Sequence, residues 1–253
     1  MARVGFDIDG DLSGQVALVT GGSRNIGLAI AEGFRRAGAR VCIVARADSE
    51  QLEAALETLD PSGVDAMSAL LDVADEGAVI DLYERMADRF GPPSVLVNGA
   101  ATRPHESFTE LSLASWKAVI DTVLTGAFLM SRELFRRLPA SRQGAIINLG
   151  GLSAHRPKTD RAHVIAAKSG LIGLTRALAE EGLGRIRVNA VVPGLIDTER
   201  RPGQSNPHHG EVESGRSVGT SEDVARVVLA FSDPRDVYVT GQTVHVNGGR
   251  FMP

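Results

Sequence analysis

Apolar residues follow two alternating rhythms along this chain. Short, nearly continuous apolar runs occur at VALVT (16–20), RVCIV (40–44), SVLVN (94–98), AIINL (145–149), RVNAVV (187–192) and TVHVN (243–247), with a weaker one, DAMSALL, at 65–71. Such runs predict strands buried on both faces. Between them the apolar positions return at helical spacing over 26–37, 49–59, 75–89, 112–137, 160–182 and 221–231, predicting amphipathic helices. Strand–helix alternation calls for parallel strands joined by right-handed crossovers. The expected architecture is α/β: a single-domain Rossmann fold spanning 1–253, with a doubly wound parallel sheet of about seven strands and helices on both faces. One long stretch breaks the rhythm. DTERRPGQSNPHHGEVESGRSVGT (197–220) is polar and rich in Pro and Gly between a strand and a helix, and reads as a substrate lid loop.

Composition narrows the picture. With 253 residues, 43% hydrophobic and 23% charged, one large domain with a sizeable core is expected. A net charge of -4 gives no global reason for a nucleic-acid partner. The single cysteine, Cys42, supports no disulfide framework and points to a reducing, cytoplasmic setting. The start, MARVGFDIDGDLSG, has no apolar signal core, and no segment approaches the roughly 18 consecutive apolar residues of a membrane span. His208 and His209 are adjacent within the lid; neighbours in sequence do not easily share one tetrahedral ion, so no metal is expected.

Candidate chemistry begins where the first strand runs into TGGSRNIGLAIAEGF. Glycines let a backbone turn tightly and approach a pyrophosphate, and the following helix offers free N–H groups and a positive dipole end. On spacing alone, a plain strand–turn–helix with two glycines would look the same.

TGGSRNIG resembles the Thr-Gly-x-x-x-Gly-x-Gly turn of the short-chain dehydrogenase/reductase family, with Asn25 where the middle glycine usually stands. Further marks of that family follow in order: LDV (71–73), NGAA (98–101), AKSGLIGLTRALA (167–179), RVNAVVPGLIDT (187–198) and TGQTVHVNGG (240–249). The likeness spans 12–250 and is nearest in style to the 3-oxoacyl-(acyl-carrier-protein) reductase type. It implies that Gly21, Ser23, Arg24, Asn25, Ile26 and Gly27 form the phosphate turn, that Asp72 and Val73 hold the adenine, and that Asn98 and Ala100 line the cofactor. It further implies that Pro193 and Gly194 turn the chain beneath the nicotinamide. Ile196 (through its backbone) and Thr198 would lie near the nicotinamide amide and the pyrophosphate. NAD-preferring members carry an acid at the end of the second strand; here Ala45 is followed by Arg46, and Arg24 lies in the glycine turn. Two guanidiniums without a carboxylate suit a 2′-phosphate, so the expected cofactor is NADP(H). The resemblance also implies a small-molecule substrate and a homotetramer in which helices 112–137 and 160–182 pair across two-fold axes, with RFMP at the C-terminus helping a second interface.

At the catalytic positions the resemblance fails in part. Ordinary members use a tyrosine as proton donor, a lysine four residues later, a serine and an asparagine. Lys168 is present, but the tyrosine position is Val164, the serine position Gly151 and the asparagine position Val123. Val123 belongs to an apolar stripe of Trp116, Val119, Ile120, Leu124 and Ala127 that reads as helix core. Ser153 lies two residues beyond the empty serine position. His163 precedes the tyrosine position, and His155 lies in the loop after the fifth strand; imidazole suits proton transfer near neutral pH. Five residues from Lys168, His163 stands about 140° away around a regular helix and shares its face only if the helix starts late. HVIAAK also resembles the 2,4-dienoyl-CoA reductases, which keep the lysine without the tyrosine four residues before it. The expectation is an NADP(H)-dependent oxidoreductase that reduces a small carbonyl, enone or acyl thioester by hydride transfer, with catalytic residues Lys168, His163 and Ser153. Its proton donor is non-standard, His163 first and otherwise His155, Ser153 or bulk water, beside Lys168, which the resemblance implies also holds the nicotinamide ribose. The alternative is a cofactor-binding homologue without redox turnover, acting as a partner subunit or binding module.

Overall fold

The computed structural model describes residues 11–198, 218–233 and 238–253. Seven parallel strands make one sheet in the order β3-β2-β1-β4-β5-β6-β7. They are β1 (Val16–Thr20), β2 (Arg40–Ala45), β3 (Ala66–Leu70), β4 (Val95–Asn98), β5 (Gly144–Leu149), β6 (Ile186–Pro193) and β7 (Thr243–Val246). Because successive side chains point to opposite faces, each strand feeds two cores. Ala17 and Val19 of β1 join the core that includes Ile30, Phe34, Val224 and Val228, whereas Val16 and Leu18 join the one that includes Leu82, Met86, Met130 and Leu134. Helices α1 (Asn25–Arg36) and α7 (Ser221–Ser232) thus cover one face. Helices α3 (Glu76–Phe90) and α5 (Gly126–Arg137) cover the other. Helix α2 (Ser49–Leu59) packs on the first core through Leu52, Ala55 and Leu59. The chain reverses its direction of winding between β1 and β4, so a crevice opens at the carboxyl ends of these strands.

Residues 112–137, expected as one helix, form two. Helix α4 (Leu113–Ile120) runs into a π-helical turn at Asp121–Thr125 before α5. There the Gly126 N–H donates to Asp121 O, one residue further back than an α-helix allows. Close packing accompanies the bulge: a Cβ at Gly126 would stand 2.4 Å from Val73 Cγ2, so only glycine lets the helix meet the segment after β3. By length and composition 113–137 would pass as a membrane span, yet Val119, Val123, Ala127, Leu129, Met130 and Leu134 are buried within this fold.

Helix α6 (Ala162–Glu181) follows a short 3-10 turn, Leu152–Ala154, that the periodicity does not register. Asn98 and Asn148 are paired in register at the ends of β4 and β5. The lid expected at 197–220 falls largely outside the described residues, as do His208 and His209. Its two ends are clamped together: Asp197 N donates to Gly219 O at 2.8 Å, and Gly219 N to Leu195 O at 2.9 Å.

Candidate active site

At the carboxyl ends of the strands lies a cleft of about 720 Å³. Its first wall is the turn between β1 and α1. A Cβ at Gly27 would stand 2.0 Å from Gly21 O, and one at Gly21 would stand 2.9 Å from Gly99 O. Gly21 has a φ of +73° and Asn25 one of +49°, a conformation that asparagine tolerates better than most residues. The Thr20 hydroxyl accepts hydrogen bonds from Gly99 N (3.0 Å) and Ala100 N (3.1 Å), tying the ends of β1 and β4 together. Side chains cap the amino ends of α2, α3, α4 and α7, from Asp48, Asp75, Ser112 and Thr220. Arg24 provides no such cap to α1, whose first turn also carries no acid. A positive, uncapped helix end behind a glycine turn is suited to phosphate oxygens.

The cleft lining includes nearly all the residues expected to hold a cofactor: Gly21, Ser23, Arg24, Asn25, Ile26, Gly27, Arg46, Asp72, Val73, Ala100, Lys168, Pro193, Gly194, Ile196 and Thr198. Asn98 stands apart from that lining. It is buried outside the lining, where its amide nitrogen donates to Asn148 Oδ1 (2.8 Å) and Ser131 Oγ (3.2 Å). Asn148 in turn donates to Thr175 Oγ1 at 2.9 Å. Its side chain thus braces β4 against β5 and α5 directly, and against α6 through Asn148. Arg46 donates to Thr122 Oγ1 (3.3 Å) and lies 3.9 Å from an Asp72 carboxylate oxygen, which holds its guanidinium at the rim.

At the far end of the cleft stand Val164, Lys168, Gly151 and Ser153. Lys168 is 5% exposed; its Nζ donates to Leu149 O, the last backbone oxygen of β5, at 2.5 Å. Burial, and then the Arg103 guanidinium, push its pKa from 10.5 down to about 7. Val164 and Val123 belong to one apolar cluster with Val119, Ala127, Ala167 and Leu171. The tyrosine and asparagine positions have therefore become core. Gly151 differs: a Cβ there would meet nothing closer than Ser153 Oγ at 3.7 Å and Lys168 Cγ at 3.8 Å, so a serine side chain has room.

His163 is a correction. Helix α6 starts at Ala162 without irregularity, so His163 stays off the Lys168 face. It is wholly buried, does not line the cleft, and neither ring nitrogen has a hydrogen-bond partner. His155 also lies off the lining; it packs edge-on to His245 at 4.5 Å and against Phe251 at 5.2 Å, and burial lowers its pKa. Of the three proposed catalytic groups, the structure brings Lys168 and Ser153 into the cleft. It also brings Arg103, Arg156, Lys158, Arg161 and Arg250 there, none of which the sequence pattern singled out. The basic stretch HRPKTDR (155–161) was the available signal.

Comparison with known proteins agrees with this geometry. The family model described as enoyl-(acyl carrier protein) reductase matches residues 21–250. The chain belongs to the short-chain dehydrogenase/reductase family, whose members are oxidoreductases working with a nicotinamide cofactor. It is 37% identical over 246 residues to a 3-oxoacyl-[acyl-carrier-protein] reductase of Pseudomonas aeruginosa, covering 95% of this chain and 99% of that one. Likeness to the reductase of the same name from Escherichia coli (strain K12) is 33% over 247 residues, with 96% and 99% covered. Among solved structures, a short-chain dehydrogenase/reductase titled glucose/ribitol dehydrogenase from Brucella melitensis superposes with a TM-score of 0.87 at 28% identity, covering 96% of this chain and 99% of that one. A putative short-chain alcohol dehydrogenase from Sinorhizobium meliloti does so at 0.85 and 32%, covering 94% and 97%.

Proposed function

We propose that this short-chain dehydrogenase/reductase is an NADP(H)-dependent reductase of a small carbonyl, enone or acyl-thioester compound, with Lys168 as the proton source in place of the missing tyrosine. The observation that carries the reading is that a single cleft joins the uncapped end of α1, Arg24 and Arg46 at one end to Lys168 and Ser153 at the other. Arg24 and Arg46 suit a 2′-phosphate, and Ala45 removes the carboxylate that would repel it.

When bound, the reduced nicotinamide supplies a hydride, which carries two electrons to the electrophilic carbon. One proton must then reach the oxygen, or the neighbouring carbon of an enone, to complete the reduction. Val164 has no proton to give. The Lys168 ammonium, anchored by Leu149 O and brought near neutral pKa by burial, holds one beside the same space. The Ser153 hydroxyl, on the 3-10 turn that lines the cleft, would orient the substrate oxygen. Val164, Val123 and their apolar neighbours keep water from that side of the site.

A homotetramer is part of the proposal. Its support is a shallow groove on α5 and α6 lined by Leu124, Phe128, Gly170, Gly173, Leu174 and Ala177, where small residues allow a second copy's helices to approach. The Cys42 thiol, buried in β2 and pushed up to about 12, is inert and fits a reducing, cytoplasmic setting.

The test is NADPH oxidation, followed by absorbance, over a panel of ketones, enones, enoyl thioesters and 3-oxoacyl thioesters. Turnover that disappears in Lys168→Met supports the reading. NADPH binding without turnover on any of them would favour a cofactor-binding homologue instead.

A further inference from the structure

The chain has three lysines: Lys117, Lys158 and Lys168. Lys117 and Lys158 are exposed, whereas Lys168 is 5% exposed and lines the cleft. The surroundings of Lys168 do little to hold an ammonium charge. Its Nζ donates to a neutral backbone oxygen, Leu149 O. One turn earlier stands Val164, packed in an apolar cluster with Ala167 and Leu171. The one carboxylate among the described lining residues, Asp72, stands at Arg46 instead.

The lysine is buried, yet space opens beside it. A Cβ at Gly151 would find its nearest neighbours at Ser153 Oγ (3.7 Å), Lys168 Cγ (3.8 Å) and Lys168 Cδ (4.0 Å). The position where relatives carry a serine is thus vacant along the stem of the lysine. Burial is the first cause of the fall in its pKa from 10.5 to about 7, so at neutral pH much of the amine is unprotonated. A neutral amine donates one N–H to Leu149 O and keeps a lone pair for carbon. Desolvated lysines are the ones that condense with carbonyl compounds.

We propose that Lys168 is a nucleophilic amine that takes up small aldehydes and unhindered ketones as covalent imines. The Nζ lone pair attacks the carbonyl carbon to give a carbinolamine. The two amine hydrogens then leave with the carbonyl oxygen as water, and a C=N bond joins Nζ to that carbon. Nothing is oxidised or reduced. The Val164 side of the cleft suits a short apolar substituent on the carbonyl. This reactivity needs no nicotinamide and goes beyond the reductase reading.

The test is labelling of the cofactor-free, full-length protein at pH 7.4 with butyraldehyde and cyanoborohydride, which converts an imine to a stable butylamine. Mass spectrometry of the digested protein then gives the rate at each lysine; the N-terminal amine maps to a separate peptide. Lys168 is expected to label at least about tenfold faster than Lys117 or Lys158, because a lysine near the usual value of about 10.4 is almost wholly ammonium at that pH. In urea sufficient to unfold the chain the three should label alike. Gly151→Leu fills the space beside the lysine stem on an extended backbone that any residue adopts. It should slow Lys168 at least about tenfold and leave unchanged both the melting temperature and the rate at Lys117, which lies off the cleft. Labelling of Lys168 in the folded protein no faster than of Lys117, or a label concentrated on Lys158, would overturn the proposal. A fast rate at Lys168 that persists in urea would do so too, since the fold would then not be its cause. NADPH takes no part in these measurements, so any of these results leaves the reductase reading to its own test.

Discussion

Lys168 reaches from α6 to the end of β5, where its Nζ donates to the backbone oxygen of Leu149 at 2.5 Å. In an ordinary relative that ammonium would serve a tyrosine one helical turn away; here the same position holds Val164, in apolar packing. Burial and the Arg103 charge bring the Lys168 pKa to about 7, a value suited to giving up a proton at neutral pH. If Lys168 is the acid, it must be protonated in the free enzyme. In the reductive direction kcat/KM should be level below about pH 7 and fall roughly tenfold per pH unit above it. A profile flat from about pH 6 to pH 9, on any substrate the panel reveals, would remove Lys168 as donor.

The same shift makes a stability prediction of definite sign. The unfolded lysine has its ordinary value, 10.5, and the folded one about 7. Below pH 7 both states carry the proton, and the native state bears the full cost of a buried ammonium. Between 7 and 10.5 the unfolded chain keeps a proton that the native state has released, so stability rises with pH. Above 10.5 both are neutral and the cost is gone. Lys168→Met should therefore be more stable than the parent near pH 6.5, by up to a few kcal/mol, and the gap should close toward about pH 9.5. Urea unfolding at the two pH values measures it; a gap that does not narrow would contradict the burial argument.

Restoring the tyrosine alone should restore little. Val164 lines the cleft, so a ring at 164 has an outlet, but Val123 lies 3% exposed in the cluster it shares with Val164. An asparagine there would bury an amide among methyl groups, at about 1–3 kcal/mol. Gly151 has room for a side chain and an extended backbone that any residue adopts. On an acetoacetyl thioester, Val164→Tyr should gain less than about tenfold, and adding Gly151→Ser should gain more without lowering the melting temperature. Full ketoreductase turnover from Val164→Tyr alone would show that the serine and asparagine positions do not matter here.

NADPH should bind at least about tenfold more tightly than NADH, a difference of about 1.4 kcal/mol. Arg24 and Arg46 line the cleft, and Ala45 offers no competing carboxylate. Because the Arg46 guanidinium also lies near Asp72 and Thr122, it is held in place before the 2′-phosphate arrives. Fluorescence titration of both reduced cofactors should show the preference collapsing in Arg46→Ala mainly through weaker NADPH binding. Equal affinities in the parent protein would refute the assignment.

What the sequence disclosed, and what it withheld, follows from the range of each interaction. The strands were legible because burial on both faces leaves continuous apolar runs, and the glycine turn because its backbone geometry is local. The π turn at Asp121–Thr125 was not, since one inserted residue barely disturbs a helical stripe. The side-chain direction of Asn98 was not legible because it depends on Asn148 in the next strand, 50 residues away. The cations at the substrate end went unnoticed because Arg103, Arg161 and Arg250 meet only in the folded chain.

His163 gives the clearest contest between sequence pattern and structure. Read from HVIAAKSG alone, it was a proton donor beside the vacated tyrosine position. In the fold it is 0% exposed and off the cleft, with neither ring nitrogen hydrogen-bonded. A buried ring nitrogen without a partner forfeits its hydration, typically about 1–3 kcal/mol. His163→Leu keeps an apolar body in the space and removes both orphaned nitrogens. The variant should retain kcat/KM within about twofold, because His163 does not line the cleft, and its melting temperature should be unchanged or higher. Both are measured on the same preparation, with NADPH affinity as the control for intact folding. A loss of about 10²-fold in kcat with cofactor affinity preserved is the signature of a missing general acid; it would return His163 to the site and displace Lys168 as the proton source.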